Sequence, residues 1–278
     1  MSFVGLLIRL LETTDGMLIL FYRSITLAGM VGLVACLRRR QSPAAFLRSL
    51  DRTDVMMGVA LAIAFTSYVY AMLMTSVAST LLLLTLSPFF AAVLGWVWIG
   101  EKPHRITWPA MCAALVGVAL MLGDGLAYGR TAGNIVALAS SLTFAIMLVL
   151  ARRSGKSDVL GGTFLGGAGC VLLGAIASLL FSNGLGISTH DLILTLFMGA
   201  FTIGIGIALV TWGTAYVPAA EVSLLVLTES VLGPIWPWII LGQAMTLTEI
   251  GGGFIVLGAA AALALASREP CKPAAIKG

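Results

Sequence analysis

Long apolar runs alternate with short polar segments along this chain, and the clearest pair of runs lies between residues 79 and 122. Each run has roughly 20 residues, which is about the length that an α-helix needs to cross the hydrocarbon core of a bilayer. The polar hinge GEKPHR, at residues 100–105, separates the two runs. The pattern predicts a membrane hairpin of two transmembrane helices.

Apolar runs of similar length recur along the rest of the chain. They cover residues 17–37, 55–76, 133–151, 159–181, 192–216, 222–242 and 247–267. Residues 1–11 are also apolar but reach only about half the length of a span. We expect the first helix to be truncated or incompletely represented here, and the native chain to have ten spans. The fold class predicted is an all-α polytopic membrane protein.

The hairpin pattern occurs twice. It returns as EVSLLVLTESVLGPIWPWIILGQAMTLTEIGGGFIVLGAAAALA, where Val226 answers Leu84 and Gly242 answers Gly100. Each copy holds an odd number of spans, so the second copy must be inverted relative to the first, an arrangement typical of carriers. The predicted division is residues 1–123 for the first five-helix repeat, 133–267 for the second and 268–278 for a tail.

Composition and charge agree with a membrane location. Hydrophobic residues make up 59% of the chain and charged residues only 10%, against about a quarter charged in soluble proteins. The net charge of +4 resides in short loops rather than in a patch that would bind nucleic acid. Alternate loops and the tail hold Arg38, Arg39, Arg40, Arg48, Arg52, Lys102, Arg105, Arg152, Arg153, Lys156, Arg268, Lys272 and Lys277, whereas the opposite side holds essentially only Arg130. The positive-inside rule predicts that the first side and both termini are cytoplasmic.

Several sequence motifs in this chain resemble those of a known protein family. The run LSPFFAAVLGWVWIGEK, its partner LTESVLGPIWPWIILGQ, the intramembrane Phe21-Tyr22-Arg23 and the five-plus-five layout resemble the drug/metabolite transporter superfamily, in its EamA-like group. Within the group the chain looks most like YddG-type exporters of aromatic and other neutral amino acids. Two residues depart from the group pattern: Ser230 stands where proline is usual, and Gln243 where the hinge glutamate is usual.

The resemblance implies a secondary transporter that exports neutral, aromatic or large apolar amino acids across the bacterial inner membrane by alternating access. Its third, fourth, eighth and ninth helices would line a central path, with the first and sixth beside them and the fifth and tenth at the rear. The partners implied are a small-molecule substrate and the lipid bilayer, with the chain acting as a monomer or homodimer. No cofactor or metal is expected, and no nucleic acid.

Helical spacing and residue chemistry select the candidates for contact with a substrate. Aromatic side chains would hold an apolar substrate, hydroxyls and the backbone beside a proline would pair with the ends of a zwitterion, and a carboxylate would bind an ammonium or a proton. The candidates are Phe65, Tyr68, Ser79, Thr85, Pro88, Ser140, Phe144, Trp212, Ser223 and Glu229. Pro88 also removes a hydrogen bond in mid-span, so we expect its helix to bend there.

Each candidate has a simpler interpretation. Tryptophans near span ends, among them Trp96 and Trp108, are expected as interfacial anchors. Glycines such as Gly162 and Gly166 are most simply sites where helix backbones approach closely. A charge at the bilayer centre costs about 2.5–3.5 kcal/mol on insertion scales. Two positions of Arg23 stay open, buried against protein or extended to the outer surface.

Glu229 lies near the middle of its span, too deep for its short side chain to reach an interface. It is either a proton or ammonium site in the path, or a strut paired with an arginine such as Arg23.

Other functional classes have little support in the sequence. No GxSxG, HExxH or GxGD motif is present, which argues against an intramembrane enzyme. A channel would show a ring of like polar groups or a filter loop, and neither is evident. A structural membrane subunit is a further alternative to a transporter. Among transporters, the rival substrate class is lipophilic cations, drugs or other small metabolites, which a buried carboxylate among aromatic residues would also suit.

Overall fold

The computed structural model describes residues 7, 10–12, 15–75, 77–103, 105–122, 131–156, 159–181, 185–226, 228, 232, 239–240 and 247–266. Within these ranges every regular element is a helix, and no strand occurs. In chain order the helices are α1 (Gly16–Arg39), α2 (Pro43–Arg48), α3 (Arg52–Met74), α4 (Val77–Leu84), α5 (Ser87–Ile99), α6 (Thr107–Leu122), α7 (Thr131–Arg153), α8 (Leu160–Phe181), α9 (Thr189–Phe197), a π-helical segment (Met198–Gly204), α10 (Ile205–Gly213), α11 (Ala219–Val226) and α12 (Leu247–Ala266).

Six helical stretches in the described ranges are long and apolar enough to cross a membrane, as a polytopic membrane protein requires. They are Gly16–Arg39, Arg52–Ala71, Thr80–Ile99, Thr131–Arg153, Leu160–Leu180 and Thr189–Gly213. Shorter apolar helices occupy Thr107–Leu120 and Ile250–Ala262. The ends of α1, α7 and α8 lie within two residues of the spans that the hydrophobic pattern predicts, because polar segments bound these runs sharply.

Side-chain caps define several helix starts. The Asp15 carboxylate accepts hydrogen bonds from the backbone N–H groups of Met17 and Leu18 at the start of α1. Asp51 and Asp54 form a reciprocal capping box at the start of α3. These side chains satisfy backbone donors that the first turn of a helix otherwise leaves unpaired.

Two interruptions break otherwise continuous spans. Turn residues Thr85 and Leu86 separate α4 from α5, and Pro88 follows in the first turn of α5. The span is therefore interrupted where a bend was predicted at Pro88, because a proline cannot donate to the carbonyl four residues before it. The second interruption is the π-helical segment Met198–Gly204 between α9 and α10. Nothing in the hydrophobic pattern predicted it.

Helix α3 is central to the packing, since it lies against both α7 and α8. Glycines make the approach to α8 close: a Cβ on Gly162 would lie 2.7 Å from the Cβ of Met57, and one on Gly166 would lie 2.8 Å from the Cβ of Leu61. Real Cβ atoms do not approach this closely, so these two glycines are packing positions, as predicted. The other extensive contacts join α1 to α8, α5 to α11 and α6 to α12.

The loops that carry most of the arginines meet at one end of the bundle, here called the arginine-rich end. Lys156 forms ion pairs with Asp51 and Asp54, and Arg152 forms one with Glu101. These contacts join the loop before α3, the hinge before α6 and the loop after α7 in one place. The short helix α2, which the hydrophobic pattern did not predict, lies in the same region and buries Phe46 against Phe164.

Candidate functional site

The break between α4 and α5 places a turn inside the apolar bundle. Thr85 is buried, and its hydroxyl donates to the carbonyl of Leu82 at 2.6 Å. The Leu84 carbonyl would accept its helical hydrogen bond from residue 88, which is a proline and has no N–H to give. A carbonyl without its donor is a strong acceptor in surroundings with little water. The turn therefore offers a polar point in the middle of an apolar span.

Beside this turn, two serines from different halves of the chain touch. The hydroxyl oxygens of Ser87, at the start of α5, and Ser223, in α11, lie 2.7 Å apart, and both side chains are buried. Ser223 and Pro88 are predicted site residues, whereas Ser87 was missed. The signal was available, because Ser87 directly precedes the proline whose interruption exposes the backbone. The pair gives the bundle two hydroxyls that can each donate as well as accept.

Helix α7 supplies further candidates. Its neighbours include α3, α4, α5 and α11, so it lies between the broken span and the third span. The buried Ser140 hydroxyl donates to the carbonyl of Ala64 at 2.7 Å. Phe144, one turn further along, and Phe65 of α3 are partly buried and pack against the same hydrophobic cluster. The structure thus places Phe65, Phe144 and Ser140 around the contact between α3 and α7.

A buried cation lies next to these aromatic rings. Arg23 of α1 is 6% exposed, and its guanidinium carbon lies 5.6 Å from the centre of the Phe65 ring. At this distance the positive charge interacts favourably with the face of the ring. The alternative in which Arg23 extends to the outer surface is therefore wrong. Tyr68, a predicted site residue, packs with Phe65 and Tyr70 against a smaller buried cluster nearby.

The remaining candidates lie elsewhere or cannot be placed. Trp212 is 41% exposed, makes an edge-to-face contact with Tyr216, and lines a cleft on the outside of the bundle. Ser79 belongs to α4, and Glu229 lies outside the described residues. Trp96 and Trp108 are exposed near helix ends, which is the position that interfacial anchors occupy.

The arginine-rich end holds an interaction that sequence analysis treated only as loop charge. The Nε–H of Arg152 donates to Glu101 Oε1 at 2.8 Å. Its Nη1 donates to the carbonyls of Thr214, at 3.1 Å, and Ala215, at 2.8 Å. These carbonyls follow α10, where a helix leaves acceptors unpaired. Arg152 thus fastens the end of α7 to Glu101, in the loop before α6, and to the end of α10.

The neighbouring Lys156 cluster is a separate polar contact. Its ammonium lies 2.7 Å from Asp51 and 2.9 Å from Asp54. The hydrogen bond from Lys156 is the largest influence that holds the pKa of Asp51 down to about 2. Partial burial alone would lower the pKa of Lys156, but hydrogen bonds to two carboxylates outweigh it and raise that pKa above its usual value. Both groups therefore stay charged over the whole physiological range.

The EamA-like transporter family matches this chain twice, over residues 1–123 and over residues 131–265. The chain belongs to the EamA-like transporter family. As a member of this family it is a transporter and not an enzyme, which the sequence predicted. The family assignment within the drug/metabolite transporter superfamily is confirmed, and it implies a small-molecule substrate and a multi-pass location in a lipid bilayer.

Two further comparisons agree with membership of the EamA-like family. An uncharacterized transporter of Archaeoglobus fulgidus is 28% identical over an alignment of 217 residues, and the match covers 74% of each chain. A solved crystal structure superposes with a TM-score of 0.81 at 20% identity and covers 96% of this chain and 94% of the other. At that identity the second likeness supports the fold alone.

Proposed function

We propose that this EamA-family transporter exports neutral amino acids, preferably aromatic or large apolar ones, across the bacterial inner membrane by alternating access. The observation that carries the proposal is the broken fourth span, in which Pro88 cannot donate to the Leu84 carbonyl and Ser87 meets Ser223. Carriers commonly form their substrate sites where a transmembrane helix is discontinuous, because the interrupted backbone offers hydrogen bonds at membrane depth. A zwitterion needs a donor for its carboxylate and an acceptor for its ammonium.

Both partners are available at this point in the bundle. The two serine hydroxyls can turn from each other to donate to a carboxylate, and the Leu84 carbonyl can accept from an ammonium. Phe65 and Phe144 would contact an aromatic or large apolar substrate side chain. Residues Tyr68, Ser79, Thr85, Pro88, Ser140 and Glu229 complete the proposed set, whereas Trp212 lies in the cleft outside the bundle.

Alternating access requires two halves that move against each other, and we propose the inverted five-helix halves at residues 1–123 and 133–267. In this arrangement α1 corresponds to α8, α4 to α11 and α6 to α12. The α1–α8 and α6–α12 pairs are each in extensive contact, which fits equivalent helices that lie on either side of a two-fold axis. We also propose that the arginine-rich end and both termini are cytoplasmic, by the positive-inside rule. Cysteines introduced at positions 39 and 125 test the topology, since labelling of both from one side would contradict it.

We propose that the arginine-rich end is the closed side of the path in this conformation. The space between the hinge and the start of α11 is only ≈ 20 Å³, which is about the room that one water molecule needs. Closure there fits a carrier whose path is shut toward the cytoplasm. Export by an exchange of conformations would require the Arg152 contacts to open.

The rival substrate class is lipophilic cations, which the predicted carboxylate of Glu229 would favour. The buried charge of Arg23 opposes this alternative, because a second cation in the same low-dielectric surroundings would be repelled. A zwitterion brings a carboxylate that the cation attracts. The buried charge of Arg23 therefore favours an amino acid over a lipophilic cation as the substrate.

Counterflow in proteoliposomes tests the proposal directly. Vesicles loaded with unlabelled phenylalanine are expected to accumulate labelled phenylalanine transiently, and uptake is expected to saturate. Ser87→Ala and Ser223→Ala should each raise KM by about tenfold, since a hydrogen bond to a charged group contributes about 1.5 kcal/mol. Ser178→Ala is the matched control, because Ser178 is also buried but its hydroxyl has no partner among the described atoms. Counterflow of a cationic dye without counterflow of amino acids would replace the proposal by the drug alternative.

Glu229 receives a separate test. We propose that it takes a proton, or binds the substrate ammonium, in the path. Glu229→Gln keeps the shape but cannot ionise, so it should flatten the pH profile of transport. A Glu229→Gln variant with the wild-type rate and pH profile would exclude this role. Poor folding that is rescued by Arg23→Gln would identify Glu229 as a strut instead.

A further inference from the structure

A lateral cleft runs along the outside of the bundle between α1 and α10. It encloses ≈ 380 Å³. It is lined by Met30, Val31, Val34, Arg38, Leu160, Gly204, Ile205, Ala208, Leu209 and Trp212. On each helix the lining positions recur every three or four residues, so one face of α1 opposes one face of α10.

The cleft exists because α1 and the α9–α10 span touch near the middle of the bundle and separate toward its arginine-rich end. Near the middle of the bundle, the Thr26 hydroxyl donates to the carbonyl of Leu196 at 2.7 Å. There Gly199 lies so close to α1 that a Cβ would collide with the carbonyl of Arg23. The π-helical segment then ends at Gly204, where the cleft begins. From this level toward the arginine-rich end, no side chain of the described residues fills the gap.

The length of the cleft matches one leaflet of a bilayer. Met30 and Arg38 are separated by eight residues of helix, which is about 12 Å at a rise of 1.5 Å per residue. Half of the hydrocarbon core of a bilayer is about 15 Å thick. The cleft therefore extends from near the membrane midplane to the interface at the arginine-rich end.

The chemistry of the cleft changes along its length. The inner part is lined by aliphatic side chains alone, and the interfacial end carries the cation of Arg38 and the ring of Trp212. Arg38 is exposed in the last turn of α1 and has no ion pair among the described residues. Arg39, by contrast, donates to Ser49 and lies over the Phe46 ring. Arg38 is thus available to an anion that arrives from the membrane.

We infer that this cleft binds an anionic phospholipid, with one acyl chain between α1 and α10 and the phosphate on Arg38. The aliphatic lining suits a chain of methylene groups, and the cation at the interface complements the headgroup charge. Trp212 lies at the level where an indole ring bridges acyl chain and headgroup. This site is independent of the proposed substrate site, so its test does not depend on transport.

Native mass spectrometry and thermal unfolding of the full chain in detergent test the site with two lipids of equal chain length. Dioleoyl phosphatidylglycerol is expected to remain bound and to raise Tm, and dioleoyl phosphatidylcholine is expected to bind at least fivefold more weakly. Arg38→Gln should weaken binding of phosphatidylglycerol about fivefold, the factor that one basic residue near an anionic surface contributes. Arg48→Gln is the matched control, since Arg48 is exposed on α2 and does not line the cleft.

A second variant separates the acyl chain from the headgroup. Ala208→Phe fills the aliphatic part and should abolish selective retention of phosphatidylglycerol, whereas Ala139→Phe, at an exposed position of α7, should not. Equal binding of the two lipids, equal losses in Arg38→Gln and Arg48→Gln, or full retention in Ala208→Phe would each overturn the inference. Stabilisation by inorganic phosphate to the same Tm would also overturn it, because the site would then hold an anion without a lipid chain.

Discussion

Arg152 is the residue whose removal should reveal most about how the loops at the arginine-rich end are held together. Arg152→Ala deletes one ion pair, to Glu101, and two hydrogen bonds to the carbonyls that follow α10. The Arg152 side chain is 11% exposed and that of Glu101 is 23% exposed. The contact therefore lies between a surface pair, which contributes about 0–1 kcal/mol, and a buried pair, whose disruption costs about 3–5 kcal/mol.

An intermediate loss of about 2–4 kcal/mol is expected for Arg152→Ala. A shift of about 2–4 °C per kcal/mol in a chain of this size then predicts a fall in Tm of roughly 4–16 °C. Glu101→Gln keeps an acceptor for the Nε–H and removes only the charge, so its loss should be about 1 kcal/mol. The double variant should be less destabilised than the sum of the two single variants, because the same contact is lost in each.

Opening of the arginine-rich end can be measured separately from global unfolding. Thr107 is fully buried at the start of α6 and lines the small space beside Glu101. A Thr107→Cys thiol should react slowly with a membrane-impermeant maleimide and about 30-fold faster when Arg152→Ala is added, if 2 kcal/mol of closure is lost. Unchanged labelling together with a Tm shift below about 1 °C would refute the view that Arg152 fastens this end.

Two other contacts give direct predictions. Gly166→Ala would place a Cβ 2.6 Å from Cδ2 and 2.8 Å from Cβ of Leu61, so it should lower the free energy of unfolding by about 1–3 kcal/mol. In Gly251→Ala the new Cβ would have nothing within 4 Å, so this variant should be as stable as wild type or more stable. Equal Tm values for the two variants would contradict the prediction. The pKa of Asp51 is lowered from 3.8 to about 2, so its contribution is present above its unfolded pKa and is lost as pH falls through about 2. The pKa of Lys156 is raised above 10.5, so its contribution is lost only above that pH. The Tm difference between wild type and Asp51→Asn should therefore be constant from pH 5 to 9, and a slope in that window would contradict the assignment.

Helix positions were predictable from the sequence because apolar length and flanking charge are local properties. The predicted span at residues 17–37 became Gly16–Arg39, and the one at 133–151 became Thr131–Arg153. The proline bend was predictable for the same reason, since Pro88 acts on its own helix. The closely packed glycines Gly162 and Gly166 were predictable as a class, though not their partners on α3.

Contacts between distant residues were not predictable. The Arg152–Glu101 pair and the Ser87–Ser223 pair depend on how helices from different halves meet, and no feature of one sequence fixes that. The sequence allowed Arg23 to be either buried against protein or extended to the outer surface. Only the position of its guanidinium over the Phe65 ring decides between the two. Trp212 was selected by its depth in a predicted span, but depth does not say which face of a helix looks inward.

The π-helical segment carries a consequence for comparing this chain with its relatives. A π-turn holds one more residue than an α-turn, so α9 and α10 do not share one helical frame. Phe197, Phe201, Ile205 and Leu209 are all exposed, although residues four apart rotate by about 40° per step in a regular α-helix. Deleting one residue from Met198–Gly204 would restore the frame and rotate Leu209 and everything after it by about 100°. Whether a relative carries the lateral cleft would then be read from a one-residue alignment gap in this span, even where every lining residue is the same.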